Sequence, residues 1–224
     1  MSQEELSQFR EKIDNDDGLK SKRKILITIA VILIGMNCSG AVLQEANTFI
    51  FKIKLTNHPG LIYFISISLA YMTLRYYGYA QAYHAQLFNF WSQRMLSDYR
   101  VFSYTPTEDD ITGLLGKRID IWTGDEPGLQ SPRYKVIGLF KRNLVYDSHG
   151  QDDTHGVYSY IANIELNKLN DDWKFKDFLH LLIFEARYQI ESLFKYREYL
   201  DLLFPYLISL LALLTLFFRN DLLV

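Results

Sequence analysis

The densest set of groups able to do chemistry is Tyr146-Asp147-Ser148-His149-Gly150-Gln151-Asp152-Asp153-Thr154-His155-Gly156, with two histidines, three aspartates and two glycines. Carboxylate and imidazole ligands at such spacing could hold a divalent cation. Asp, Ser and Gly are also what a solvated turn uses. No complementing ligand set stands elsewhere in the chain, so a hairpin tip is the expectation. Glu108-Asp109-Asp110 follows Pro106 and suits the positive end of a helix better than catalysis. No Walker loop, H-E-x-x-H, C-x-x-C or G-x-S-x-G elbow is present. The single cysteine, Cys38, lies in an apolar block, which excludes an intrachain disulfide and argues against a thiol nucleophile. The expectation is a non-enzyme with no catalytic, cofactor or metal site.

Asn37 is a different kind of candidate. It is the strongly polar side chain within residues 25–43, ILITIAVILIGMNCSGAVL. An amide inside an apolar span is costly unless it is paired. Gly35, Ser39 and Gly40 lie beside it, and small residues allow helices to approach closely. These four residues are the candidate helix-association set. Arg133, Lys135, Lys141 and Arg142 form a second set, a surface for an anionic ligand or a partner.

The elements that must position these groups are membrane helices and one small domain. Residues 25–43 carry no charge, and about 19 residues at ~1.5 Å each cover most of a ~30 Å hydrocarbon core. The second apolar block, LIYFISISLAYMTL, starts after Gly60 and is followed by Arg75 and several tyrosines suited to the headgroup level. The third, LLFPYLISLLALLTLFF, carries Pro205 in its first turns. The 24 basic and 26 acidic residues leave a net charge of -2, which gives no hint of nucleic-acid binding. The expected fold is therefore two N-terminal transmembrane helices, a small cytoplasmic α+β domain, and a long helix leading into a third, C-terminal transmembrane helix. The segments are a charged cytoplasmic tail (1–24), span one (25–43), an external loop (44–60), span two (61–80), the domain (81–201), span three (202–218) and a tail (219–224). Lys20, Lys22, Arg23 and Lys24 precede span one, and the positive-inside rule puts the N-terminus and the domain in the cytoplasm.

Within the domain, Leu87, Trp91, Met95 and Tyr99 recur at helical steps, which predicts that span two continues as a helix into the domain. Turn formers are dense from Tyr104 to Gly156. Residues 133–147 and 157–166 carry strand patterns, joined through 148–156 as a hairpin with a long tip. Asn170 or Asp171 is the expected cap of a helix running unbroken to Pro205. In the loop, Phe49 to Leu55 alternates and reads as a short extended segment, either dipping into lipid or pairing with copies of itself.

The charged leader, the first span, the loop ending Thr56-Asn57-His58-Pro59-Gly60, and the second span ending Leu74-Arg75-Tyr76-Tyr77-Gly78-Tyr79 together resemble small membrane proteins of bacterial antiviral defence loci. Nearest in length and layout are the transmembrane effectors of retron systems. The resemblance covers roughly the first eighty residues by pattern and the rest by layout. It implies a multi-pass inner-membrane protein held latent by a reverse transcriptase with its noncoding RNA and reverse-transcribed DNA. On phage infection it would disrupt the membrane and cause abortive infection. It also implies contact with membrane lipid and a homo-oligomer, and it transfers no catalytic residues. Two alternatives stay open: a membrane effector gated by a nucleotide signal, and a non-catalytic scaffold subunit.

Overall fold

The computed structural model describes residues 3–39, 45–47, 52–54, 57–108, 110–120, 125–138, 140–152 and 156–217. In chain order the elements are α1 (Gln3–Asn15), α2 (Asp17–Cys38), β1 (Glu45–Asn47), β2 (Lys52–Lys54), α3 (His58–Leu96), β3 (Ser103–Thr105) and β4 (Asp110–Thr112). There follow α4 (Glu126–Leu129), β5 (Arg133–Val136), β6 (Arg142–Asp152), β7 (Gly156–Glu165), α5 (Phe175–Lys195) and α6 (Arg197–Phe217). They form two compact units. One is Gln86–Lys195, and the other joins Ser2–Ala85 to Tyr196–Val224.

The second unit is helical. The Asp16 carboxylate accepts from the Leu19 backbone N–H at 2.8 Å and caps α2. That bond holds Asp16 below the usual carboxylate range. Asn57 Oδ1 accepts from the Gly60 N–H at 2.9 Å and starts α3 at the predicted turn. α3 is 39 residues long, about 58 Å at the helical rise, so it continues past the second apolar block as predicted. β1 pairs antiparallel with β2, so the extended segment in the loop finds its partner within the same chain. Phe49, Phe51 and Leu55 lie outside the described residues.

The Gln86–Lys195 unit is built on an antiparallel sheet, order β5-β6-β7. β6 and β7 pair continuously from Asn143↔Glu165 to Asp152↔Gly156. The sequence reading therefore needs correction here. The supposed long tip is mostly paired strand, and residues 133–147 are two strands, β5 and β6, rather than one. β5 pairs with β6 only from Arg142 to Val145, so it is the pairing with β7 that lets Ser148, His149 and Gly150 keep extended backbone despite their turn preference. Gly128 is needed for close approach, because a Cβ there would lie 1.8 Å from the Asp147 carbonyl oxygen. The core gathers Leu87, Trp91 and Met95 of α3, Tyr134 and Leu144 of the sheet, and Trp173, Phe178 and Leu181. Tyr134 stacks on Phe88 and meets Trp91 edge-on. The indole N–H of Trp173 donates to the Leu166 carbonyl at 2.7 Å.

Two further expectations fail. Asp110 begins a strand rather than a helix. The long helix is broken at Tyr196, between α5 and α6, instead of running to Pro205. It also starts later, because Asn170 closes a turn onto the Trp173 N–H, and Asp177 accepts from the Lys174 N–H at 3.1 Å to open α5. Pro205 sits buried inside α6 without ending it.

Candidate functional site

In the helical unit, many large apolar side chains point outward. α6 buries Glu198, Leu202, Pro205, Ser209, Ala212 and Thr215, and exposes Leu207, Leu210, Leu211, Leu214 and Phe217. α2 buries Leu19, Leu26, Ala30, Leu33, Met36 and Asn37 and exposes Ile25, Val31 and Ile32. The matching part of α3 buries Ile62, Ser66, Leu69, Tyr76 and Ala80 and exposes Tyr63, Phe64, Ile67 and Leu74. Small inward residues let α2 and α6 pack closely along one another. α3 meets them through larger rings. The Tyr76 hydroxyl donates to the Leu202 carbonyl at 3.2 Å, and its ring lies 5.0 Å from that of Tyr206.

The interior is a polar seam rather than a reactive centre. Asn37 Nδ2 donates to Thr215 Oγ1 at 2.9 Å, with both residues buried. The hydroxyls of Thr215, Ser209 and Ser66 donate to carbonyls of Ala212, Pro205 and Ile62 at 2.7 Å. Asn37 Oδ1 has no hydrogen-bond partner among the described residues. Toward the other end of α6, His84 Nε2 and the Tyr206 hydroxyl are 3.2 Å apart. The buried Glu198 carboxylate there takes Arg10 at 2.7 Å and Arg197 at 3.0 Å. Tyr83 donates to Asp16 at 2.8 Å, and burial together with that carboxylate pushes its phenol up to about 12. A seam of this kind can hold helices together, and its few interhelical hydrogen bonds can be exchanged. It offers no nucleophile paired with a base.

Of the four helix-association candidates, Asn37 makes a bond between helices. Gly35 and Ser39 are exposed, and a Cβ on Gly35 would meet no atom within 4 Å, so neither lies at a close helix contact within the described residues of the chain. Gly40 lies outside the described residues. Thr215 was missed by sequence reasoning. The signal was there, since it interrupts the apolar run of α6 as Asn37 interrupts that of α2.

The chain matches no known protein family, no curated protein and no solved structure.

In the Gln86–Lys195 unit the four predicted basic residues do not form one exposed surface, because Arg142 is buried. Its guanidinium grips Glu185 through Nε at 2.7 Å and Nη2 at 3.1 Å. Arg133 pairs with Asp147 at 3.2 Å and Lys141 with Glu165 at 3.6 Å. Lys135 is exposed on β5. The reason for the correction is topological, because β6 carries Arg142 into the core against α5, where its charge is consumed. Among the described residues no group of three or more His, Cys, Asp or Glu side chains could hold a metal. His149 is exposed on β6 opposite Ser159, while Asp153 and His155 lie outside the described residues.

Asp98 is a second polar hub in this unit. It accepts from the Arg100 guanidinium at 2.6 Å, the Arg100 N–H at 3.0 Å and the Tyr188 hydroxyl at 2.8 Å. The Arg100 bonds foremost hold its carboxyl well below the usual range. The folded state therefore binds fewer protons than the unfolded one. The resulting stability is complete above the unfolded value of about 3.9 and drains as pH falls toward the depressed folded value. Arg100 is 44% exposed, so solvent screening keeps the contribution of the pair modest. Tryptophan-monitored melting of the solubilised chain should show Asp98→Asn less stable than the parent at pH 7. The gap should close as the solution is acidified below pH ~4.

Proposed function

We propose that this chain is a multi-pass protein of the bacterial inner membrane and a latent effector of an anti-phage system of the retron kind. Among the described residues, α6 is the one helix long and apolar enough, by length and composition, to cross a membrane. The wider reading adds residues 25–43 and 61–80 as spans, with 81–201 in the cytoplasm. One observation carries it: α6 buries mostly small or polar residues and turns its larger apolar ones outward, and α2 and α3 also expose rows of large apolar side chains. In water those rows would be aggregation-prone patches. In lipid they face a matching solvent, and the small and polar residues that α6 turns inward provide the packing and hydrogen bonds that hold membrane helices together.

The effector role rests on three supports. These are the resemblance in layout to retron membrane effectors, the outward apolar rows of the helical unit, and the interhelical bond between Asn37 and Thr215. A homo-oligomer of such bundles could rearrange into a leak. The cytoplasmic unit would be the handle by which a reverse transcriptase with its RNA and DNA holds the resting state, as a two-state switch biased by binding. The test is to express the full chain in cells loaded with a potential-sensitive dye, alone and together with its neighbouring genes. The chain alone should collapse the membrane potential. With the neighbours present, collapse should wait for phage infection. A potential that holds through overexpression and infection alike would leave a scaffold subunit as the better reading.

A further inference from the structure

α5 is apolar on two faces. One face packs into its own unit through Phe178, Leu181 and Glu185. The other carries Phe175, Leu179, Ile183, Ile190 and Phe194, spaced i, i+4, i+8, i+15 and i+19, and each is 47–84% exposed. That spacing draws one stripe along the whole 21-residue helix, about 32 Å. A stripe of this length on a soluble surface calls for an occupant.

We propose that this face of α5 rests on the anionic cytoplasmic leaflet as an interfacial helix. The inference deepens the membrane reading above and depends on α6 crossing a bilayer. Two observations favour lipid over protein. The first is charge. Lys176, Arg187 and Lys195 are exposed along α5, and none of them forms a salt bridge among the described residues. The neighbouring acids are already neutralised, Asp177 by Lys117 at 2.7 Å and Glu191 by Arg94 at 3.1 Å. An apolar stripe edged by unspent cations is the pattern that binds anionic headgroups. The second is chain reach. Phe194 stands three residues ahead of Arg197, where α6 begins. With the span beginning at residue 202, five helical residues further on, the end of the stripe is held within about 20 Å of the point where α6 enters a bilayer.

The test uses the full chain in nanodiscs, with Cys38→Ser as background and an environment-sensitive NBD label at Leu179→Cys or, as the span control, Leu210→Cys. Discs contain phosphatidylethanolamine with phosphatidylglycerol, or phosphatidylcholine alone, with spin-labelled lipid as quencher. The Leu179 label should emit as in an apolar medium and be quenched by shallow spin labels as strongly as the Leu210 label is by deep ones. The effect should be larger with phosphatidylglycerol, and Lys176→Glu/Arg187→Glu/Lys195→Glu should remove that difference. A quenched Leu210 label with a water-like Leu179 label overturns the proposal and spares the membrane reading. So does a blue-shifted Leu179 label that lipid cannot quench, since protein would then cover the face. If neither label is quenched, both fall.

Discussion

Glu185→Ala should cost the Gln86–Lys195 unit about 3–5 kcal/mol, a large part of the stability such a domain has to lose. The reason is what the substitution leaves behind. Glu185 is buried and accepts from Arg142 at 2.7 and 3.1 Å, from the Tyr134 hydroxyl at 2.9 Å and from Gln189 at 3.1 Å. Without it, Arg142 keeps a hydrogen bond to the Gly138 carbonyl at 2.7 Å but loses its counter-charge inside the core. Glu185→Gln removes the charge and keeps much of the shape, so it should fall between parent and alanine. Arg142→Met/Glu185→Leu removes both charges at once and should recover most of the loss, because a buried ion pair contributes little beyond an apolar pair of the same volume. Adding Tyr134→Phe removes the last orphaned hydroxyl, and should bring the unit closer still to the parent. Thermal unfolding followed by the domain tryptophans, with limited proteolysis beside it, reads the order: parent, triple, double, Gln, Ala. If Glu185→Ala melts within about 1 kcal/mol of the parent, the ion pair is not a core element.

Arg142 also marks where sequence reading stops. As a letter it sits in KRN, between strand-like runs, and looks like a surface base. Its partner is 43 positions away on another element, and no local pattern announces that pairing. Arg10 and Glu198, 188 positions apart, are the same case. Properties carried by composition and period were legible. The long α3, the turn at Asn57, the helix at Asn37 and the strand content of the middle region all follow from local preference. Lengths and ends set by neighbours were not. β6 extends through Ser148, His149 and Gly150 because β7 pairs with it to the tip. The break at Tyr196 has no Gly or Pro to signal it, while Pro205 is accommodated inside a helix. The site was half legible, since Asn37 declared itself by its cost in an apolar run, but its bond to Thr215 needed the fold.

Leu207→Arg/Leu211→Arg/Leu214→Arg in α6 should expel the chain from the membrane fraction or have it degraded, and here the sign of the effect distinguishes two solvents. All three residues point away from the interior of the helical unit. On a soluble bundle, outward arginines touch nothing, cost little and raise solubility by breaking an apolar patch. In lipid, each arginine near the centre of a span costs about 2.5–3.5 kcal/mol on insertion scales, so three together outweigh much of what the remaining leucines contribute. Ser209 and Ala212 serve as the internal comparison, because both face inward. Ala212→Leu fills the close approach of α2 and α6 and should loosen the bundle by about 1–3 kcal/mol while leaving the chain in the membrane. Carbonate extraction of membranes from cells expressing each variant separates the cases. Retention of the triple arginine variant as a soluble, folded protein would mean that water bathes these rows. The outward leucines would then need a protein partner, and the reading of α6 as a span would be lost.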